Sequence, residues 1–123
     1  MAFEMEIDQD LSNAIDLIHN NRSEGLRAIE KLAKRGNRSA VLCMGLYLSE
    51  DSSTSDDAVA WLEEAERFDS PDAAWNLAMI AREKGDSESM KKWIDRAASL
   101  GEPDAIKVRN LGYDVSSVLS SYE

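Results

Sequence analysis

Apolar residues recur along this chain at intervals of three and four positions, and no stretch alternates strictly between apolar and polar residues. Near the N-terminus, for example, Leu11, Ala14, Ile15 and Ile18 follow this spacing. Such spacing places apolar side chains on one face of an α-helix. The chain also lacks Asn-Gly and Asp-Gly turns and the alternating Val, Ile and Thr runs that mark β-hairpins. The pattern therefore predicts an all-α fold.

Helix start and stop signals divide the chain into about seven helices. They are predicted over about residues 11–20, 24–35, 39–49, 56–68, 72–84, 87–100 and 104–111. The predicted N-caps are Asp8 or Asp10, Ser23, Ser55, Ser70 and Asp86. Gly36, Gly85 and Gly101 are predicted to end helices through a positive φ. Residues 1–23 are expected to form an N-terminal capping helix, and residues 112–123 a C-terminal tail.

The chain also repeats itself. Trp61 and Ala65 return 32 residues later as Trp93 and Ala97. An alanine that follows a short polar segment recurs at a similar interval, as Ala40, Ala73 and Ala105. Self-similarity at this period indicates antiparallel helix hairpins that stack on one another. The sequence predicts one such domain over residues 1–123, with Trp61 and Trp93 at equivalent packing positions.

Small residues recur where two helices of a hairpin are expected to approach closely. They are Gly45 and Ala78 on the first helix of each pair, and Ala65 and Ala97 on the second. A larger side chain at these positions is expected to force the helices apart.

These recurring residues resemble the Sel-one-like repeat, a relative of the tetratricopeptide repeat. The first copy offers Ala40, Met44-Gly45, Asp57, Ala58, Trp61 and Ala65, and the second offers Ala73, Leu77-Ala78, Trp93, Ala97-Ala98 and Gly101. The resemblance covers about residues 24–111. Two positions depart from the family pattern, because Ala78 and Asp69 stand where glycine is expected. The resemblance implies a right-handed α-solenoid that mediates protein–protein contacts, and it implies no enzyme activity.

Composition offers little for catalysis or cofactor binding. The single cysteine, Cys43, excludes an internal disulfide and a cysteine-based zinc site. The single histidine, His19, has no partner in a recognisable catalytic motif, and no phosphate-binding loop is present. We therefore expect no enzyme, no cofactor and no metal site.

Charge and hydropathy narrow the partner class. The net charge is −10, which disfavours binding to nucleic-acid phosphates and is compatible with a basic protein partner. Residues 22–38 depart from this balance, with six bases and two acids, whereas residues 50–72 hold nine acids and one base.

The sequence shows no sign of a membrane span or of export. It contains no run of 18 apolar residues, and residues 1–6 do not resemble a secretory signal. A cytoplasmic protein, monomeric or weakly dimeric, is expected.

Two surfaces are candidates for partner binding. Tetratricopeptide-like geometry places one in a concave groove, lined by Leu42, Leu46, Ser49, Trp75, Met79 and Arg82. The first helix or the apolar tail residues Val115, Val118, Leu119 and Tyr122 are equally able to cover that groove. The second surface is an acidic face on the outward side of the fourth helix, formed by Asp56, Asp57, Glu63 and Glu66.

The leading hypothesis is a non-enzymatic protein-binding module, an inhibitor or immunity-type protein that neutralises one basic toxin or enzyme through its acidic face. The alternative is a structural adaptor that grips a helix or peptide in the apolar groove. A weaker third class is a DNA mimic, which requires acids at phosphate-like spacing.

Overall fold

The computed structural model describes residues 2–119, and within that range the chain is all α-helical with no strand. The all-α prediction is confirmed, and each of the seven predicted helices is present. The α-helices are α1 (Gln9–Asn20), α2 (Arg22–Lys34), α3 (Arg38–Leu48), α4 (Ser55–Glu66), α5 (Pro71–Glu83), α6 (Ser87–Ser99), α7 (Pro103–Asn110) and α8 (Ser116–Leu119). A short 3-10 helix, Ser52–Thr54, precedes α4.

The described helices fall into two compact units. The N-terminal unit is Glu4–Ala65, and the C-terminal unit begins at Glu66 and includes residues 2 and 3. In the N-terminal unit α1 packs on α2 and α2 packs on α3. In the C-terminal unit α5 packs on α6, α6 on α7 and α7 on α8. Within each unit these helices therefore pack against their neighbours in sequence order, as the hairpin prediction requires.

The first helices of successive hairpins begin in the same way. A side-chain oxygen at the N-cap accepts a hydrogen bond from the backbone N–H of the alanine three residues later, which satisfies a donor that the helix leaves unpaired. The three pairs are Asn37 with Ala40 at 3.0 Å, Ser70 with Ala73 at 3.1 Å and Glu102 with Ala105 at 2.6 Å. All three alanines are 0% exposed, so no larger side chain fits there. The recurring polar segment is thus a repeated helix start.

Two predicted N-caps are wrong. Ser23 does not cap α2, because that helix begins earlier and Asn21 accepts the N–H of Glu24 at 3.2 Å. Ser55 is the first residue of α4, and the preceding 3-10 helix is capped instead by Asp51. Ser23 is not the cap because Asn21 accepts that hydrogen bond two residues earlier. Ser55 is not the cap because the 3-10 helix continues directly into α4. The predicted caps Asp8, Ser70 and Asp86 are confirmed.

Both ends of the described chain pack into a unit. Val115 and Val118 are 4% and 2% exposed and belong to the core of the C-terminal unit. Leu119 packs against the same core, whereas the predicted tail residue Tyr122 and the rest of 120–123 lie outside the described residues. At the other end, the ring of Phe3 meets that of Phe68 edge to face at 4.7 Å. The tail is therefore part of the C-terminal core up to Leu119.

A left-handed residue follows α2, α4 and α6 at the repeat interval. Gly36 has φ +97° and Gly101 has φ +91°, and Asp69 adopts the same conformation with φ +63°. The sequence identified Asp69 as the substitute for a helix-ending glycine, and its backbone confirms that role. A residue with a Cβ is strained in this region, although Asp tolerates it better than most.

The strain at Asp69 predicts a difference between two substitutions. Asp69→Gly is expected to be more stable than Asp69→Ala by about 1 kcal/mol, because only glycine adopts a positive φ without cost. Both variants lose the Asp69 carboxylate, which accepts a hydrogen bond from Arg96, so their difference isolates the backbone conformation. Urea unfolding of the two variants measures this difference, and equal free energies of unfolding would contradict the assignment.

Candidate protein-binding surfaces

The α4 helix exposes a run of carboxylates in the N-terminal unit. Asp56, Asp57, Glu63 and Glu64 are all exposed, and helical spacing places them within one side of α4. We call these four residues the α4 acidic surface. Buried Ala58, Leu62 and Ala65 form the opposite side of the helix and fix its orientation. Three of the four predicted acidic-face residues therefore lie at the surface together.

Glu66, the fourth predicted member of the acidic face, has a different role. Its carboxylate accepts a hydrogen bond from Nε of Arg96, and Asp69 Oδ1 accepts another from the same guanidinium at 2.6 Å. The Glu66 side chain is 19% exposed. The assignment of Glu66 to the acidic face is corrected, because an arginine 30 positions later in the C-terminal unit neutralises it.

The groove predicted from tetratricopeptide-like geometry is only partly available in the N-terminal unit. Leu42 is 1% exposed, so its side chain lies in the core and its assignment to a partner-binding groove is corrected. The cause is that α3 is buried on nearly every side from Ser39 to Gly45. Leu46 and Ser49 are half-buried, and the hydroxyl of Ser49 donates to the carbonyl of Leu46 at 2.7 Å.

The other three groove residues lie on α5, in the C-terminal unit. Trp75 and Met79 are half-buried and pack against the core that also contains Val115 and Val118. Arg82 is exposed, and no ion pair is recorded for it within residues 2–119. The spacing of four and three residues places all three on one side of α5. We call Trp75, Met79 and Arg82 the α5 surface.

The repeated tryptophans occupy matching environments. Trp61 and Trp93 are both half-buried, and the residues that follow them, Leu62 and Ile94, are each 0% exposed. The ammonium of Lys92 lies 4.9 Å from the centre of the Trp93 ring. The register predicted from the 32-residue interval is therefore confirmed in burial, and Trp93 packs against the core of the C-terminal unit.

The structure also contains a groove that the sequence did not predict. It lies between α1 and α2, has a volume of about 270 Å³ and is open to solvent. Its lining residues come from both helices, and they are Asp10, Asn13, Ala14, Leu17, Ala28, Lys31, Leu32 and Arg35. Each helix contributes residues at i, i+3, i+4 and i+7. This double spacing is the sequence signal that, combined with the hairpin prediction, points to such a groove.

The chemically reactive side chains are isolated. Cys43 is 4% exposed, and burial raises the pKa of its thiol to about 11, so it stays protonated near neutral pH. His19 is exposed at the end of α1. Among residues 2–119, no group of three or more His, Cys, Asp or Glu side chains is placed to hold a metal ion. In the same part of the chain, no helix is both long enough and apolar enough to cross a bilayer.

Burial also raises the pKa of Glu102, the N-cap of α7, although its hydrogen bonds to backbone N–H groups oppose the shift. The equivalent caps, Asn37 and Ser70, are neutral side chains. The carboxylate of Glu102 therefore acts as a helix cap, like its two counterparts.

Comparison with known proteins returned no matching family model, no matching curated protein and no matching solved structure.

Proposed function

We propose that this protein is a non-enzymatic protein-binding module of the Sel-one-like kind, and that its α4 acidic surface binds one basic partner. The observation that carries the proposal is the exposure of Asp57 and Glu63, which lie beside Asp56 and Glu64 on one side of α4, about two turns apart. The apolar side of the same helix is fully used in packing, with Leu62 at 0% exposed. A rigid helix thus presents a dense set of negative charges to solvent.

Such a surface acts mainly on the rate of association. Complementary charges steer two proteins together, and the effect weakens as salt screens the charges. Each exposed ion pair adds about 0.2–1 kcal/mol, so four carboxylates supply a useful part of the affinity only if several are paired at once. The net charge of −10 extends the same attraction beyond the contact itself.

The concrete form of the proposal is an inhibitor or immunity-type protein that acts in the cytoplasm as a monomer or weak dimer. In this role the α4 acidic surface covers a basic site on one toxin or enzyme and neutralises it. The support is the combination of strong negative charge and a helical repeat architecture, which usually supplies a binding surface rather than a reaction centre.

The test begins with affinity capture from the native host at low salt, followed by binding kinetics with the captured partner. The variant Asp57→Asn/Glu63→Gln removes two charges from the α4 acidic surface. We expect about tenfold weaker binding, mostly through slower association. The control, Glu83→Gln/Glu88→Gln, removes two exposed charges from the C-terminal unit, so its net charge equals that of the Asp57→Asn/Glu63→Gln variant. The control is expected to bind almost as tightly as the wild type.

Two results would contradict the proposal. One is a captured partner that is retained equally at about 0.05 M and about 0.5 M salt, since exposed charges are strongly screened at the higher value. The other is an equal loss of affinity in both charge variants, which would show an effect of net charge without a defined surface.

A second candidate function, an adaptor that grips a helix or peptide, is favoured by the α5 surface. Met79 and Trp75 remain partly accessible beside the exposed Arg82, and Trp and Arg are enriched among residues that dominate binding energy. Arg82→Ala separates the two functions, because Arg82 is exposed and its loss leaves the core unchanged. Loss of partner binding in Arg82→Ala, with normal binding by Asp57→Asn/Glu63→Gln, supports the adaptor.

A further inference from the structure

The groove between α1 and α2 combines an apolar floor with a basic rim. Leu17, Ala28 and Leu32 are half-buried and Ala14 is buried, so an apolar surface is present but incompletely covered. The rim is formed by Lys31 of α2 and by Arg35, the C-cap residue of that helix, and both are exposed. We call this site the α1–α2 groove. All of its lining residues belong to the N-terminal unit.

The two basic side chains of the rim are available for a ligand. Within residues 2–119, neither Lys31 nor Arg35 takes part in an ion pair or side-chain hydrogen bond, whereas Lys34 on the same helix pairs with Glu30 at 3.5 Å. Asp10 is the acid among the lining residues and lies on the facing helix. No ion pair joins Asp10 to either base within that range. The rim therefore offers the ammonium of Lys31 and the guanidinium of Arg35 beside an apolar surface that is partly exposed.

The local charge selects the sign of the ligand. Residues 22–38, which include all of α2, hold six bases and two acids in a chain whose net charge is −10. A basic partner is repelled by Lys31 and Arg35, whereas a carboxylate placed beside them is attracted. Arginine also forms bidentate hydrogen bonds with a carboxylate, which gives such a contact geometric specificity.

The volume of the groove selects the type of ligand. About 270 Å³ is below the usual range for sites that enclose a whole small molecule, which is about 300–1,000 Å³. The groove is also open to solvent, so it suits one or two side chains of a longer chain better than an enclosed metabolite. Pockets of this kind receive the anchor side chains of helical or extended peptides.

We propose that the α1–α2 groove is a second interaction site, which binds an acidic segment of a partner protein. The segment inserts an apolar side chain between Leu17 and Leu32 and places a carboxylate beside Lys31 and Arg35. This site differs from the α4 acidic surface in location and in the sign of the charge it recognises. Its existence does not depend on the proposed function of α4.

The test is a selection of peptides of about 12 residues, long enough for three turns of helix, from a random displayed library with the wild-type chain as target. We expect enriched peptides that carry an acidic residue within one helical turn of a large apolar residue. A fluorescently labelled copy of the most enriched peptide then serves as the probe for affinity measurements by anisotropy.

Three variants locate the binding. Lys31→Glu/Arg35→Glu reverses the charge of the rim and is expected to weaken binding of the probe peptide at least tenfold. The control, Arg27→Glu/Lys34→Glu, makes the same change in net charge at exposed positions of α2 that do not line the groove. It is expected to weaken binding of the probe peptide less than threefold. Ala28→Leu fills the half-buried floor, and is expected to abolish binding while the thermal unfolding midpoint stays within a few degrees of the wild type.

The outcomes are decisive in either direction. Loss of probe binding in Lys31→Glu/Arg35→Glu and in Ala28→Leu, with binding kept in the control variant, supports the proposal. Enriched peptides without acidic residues, or equal weakening in rim and control variants, would overturn it. Sedimentation of the wild type and the rim variant without peptide covers the remaining case. If the wild type alone self-associates, the occupant is a second copy of this chain, and the proposal of an acidic partner fails.

Discussion

Gly25→Ala is expected to lower the free energy of unfolding by about 2 kcal/mol, although alanine is the better helix former. A Cβ built on Gly25 would lie 2.6 Å from the backbone nitrogen and 2.7 Å from the Cα of Ile18, which belongs to α1. Real Cβ contacts are not that short, so α1 and α2 must move apart. The cost of such overpacking is about 1–3 kcal/mol and sometimes more, and it exceeds the gain of about 1 kcal/mol in helix propensity.

The contact involves both the side chain and the backbone of Ile18, because the added Cβ would also meet Cγ1 of Ile18. Ile18→Ala removes Cγ1 but leaves the nitrogen and Cα in place, so it is expected to rescue Gly25→Ala only in part. Chemical unfolding of the two single variants and of Gly25→Ala/Ile18→Ala measures this. A Gly25→Ala variant that is more stable than the wild type would show that helix propensity dominates and that α1 and α2 are not in close contact at this point.

Leu62→Ala is expected to cost about 3 kcal/mol, within the usual range for a leucine that is fully buried. Leu62 is 0% exposed and packs directly on Gly45 of α3, where a Cβ would lie 2.6 Å from Cδ2 and 2.7 Å from Cγ of the leucine. Gly45→Ala alone is therefore expected to cost about 1–2 kcal/mol by overpacking. In contrast to Gly25, most of this conflict is with the mobile end of a side chain.

The next hairpin shows how the conflict at Gly45 is relieved. At the equivalent positions the chain carries Ala78 and Ile94, both 0% exposed and in one core cluster. Gly45→Ala/Leu62→Ile transfers this combination into the first hairpin. It is expected to recover most of the stability that Gly45→Ala loses, so the double variant departs from additivity by about 1 kcal/mol or more. Additive losses in urea unfolding would show that the two hairpins do not pack equivalently.

The sequence predicted the fold well because its strongest signals are local. A helix start depends on one side chain that reaches a backbone N–H three residues away, and Ser70 shows that such a contact is readable from neighbouring residues alone. The left-handed conformation of Asp69 was predictable for a similar reason. Asp69 lies one repeat interval after Gly36 and one before Gly101, which marks it as a helix-ending position. Where two nearby side chains could accept the same N-cap hydrogen bond, as Asn21 and Ser23 can, the sequence-based prediction named the wrong one.

The candidate surfaces were predicted less well, because exposure depends on residues that are distant in sequence. Glu66 was assigned to the acidic face, but Arg96 donates a hydrogen bond to its carboxylate. Leu42 was assigned to a groove, but α3 is covered on nearly all sides. Asp56, Asp57 and Glu63 remained at the surface, because a helix buried on one side exposes the other.

The amino-acid sequence by itself determined that the chain forms helices, where most of them begin and end, and that successive hairpins share one register. These properties follow from the 3.6-residue period and from hydrogen bonds within a few residues. Only the tertiary structure decided which polar and apolar side chains face solvent. It paired Glu66 with Arg96, buried Leu42, and left the α1–α2 groove open with Lys31 and Arg35 at its rim. Burial and charge pairing are properties of packed neighbours, and a single helix does not specify its neighbours.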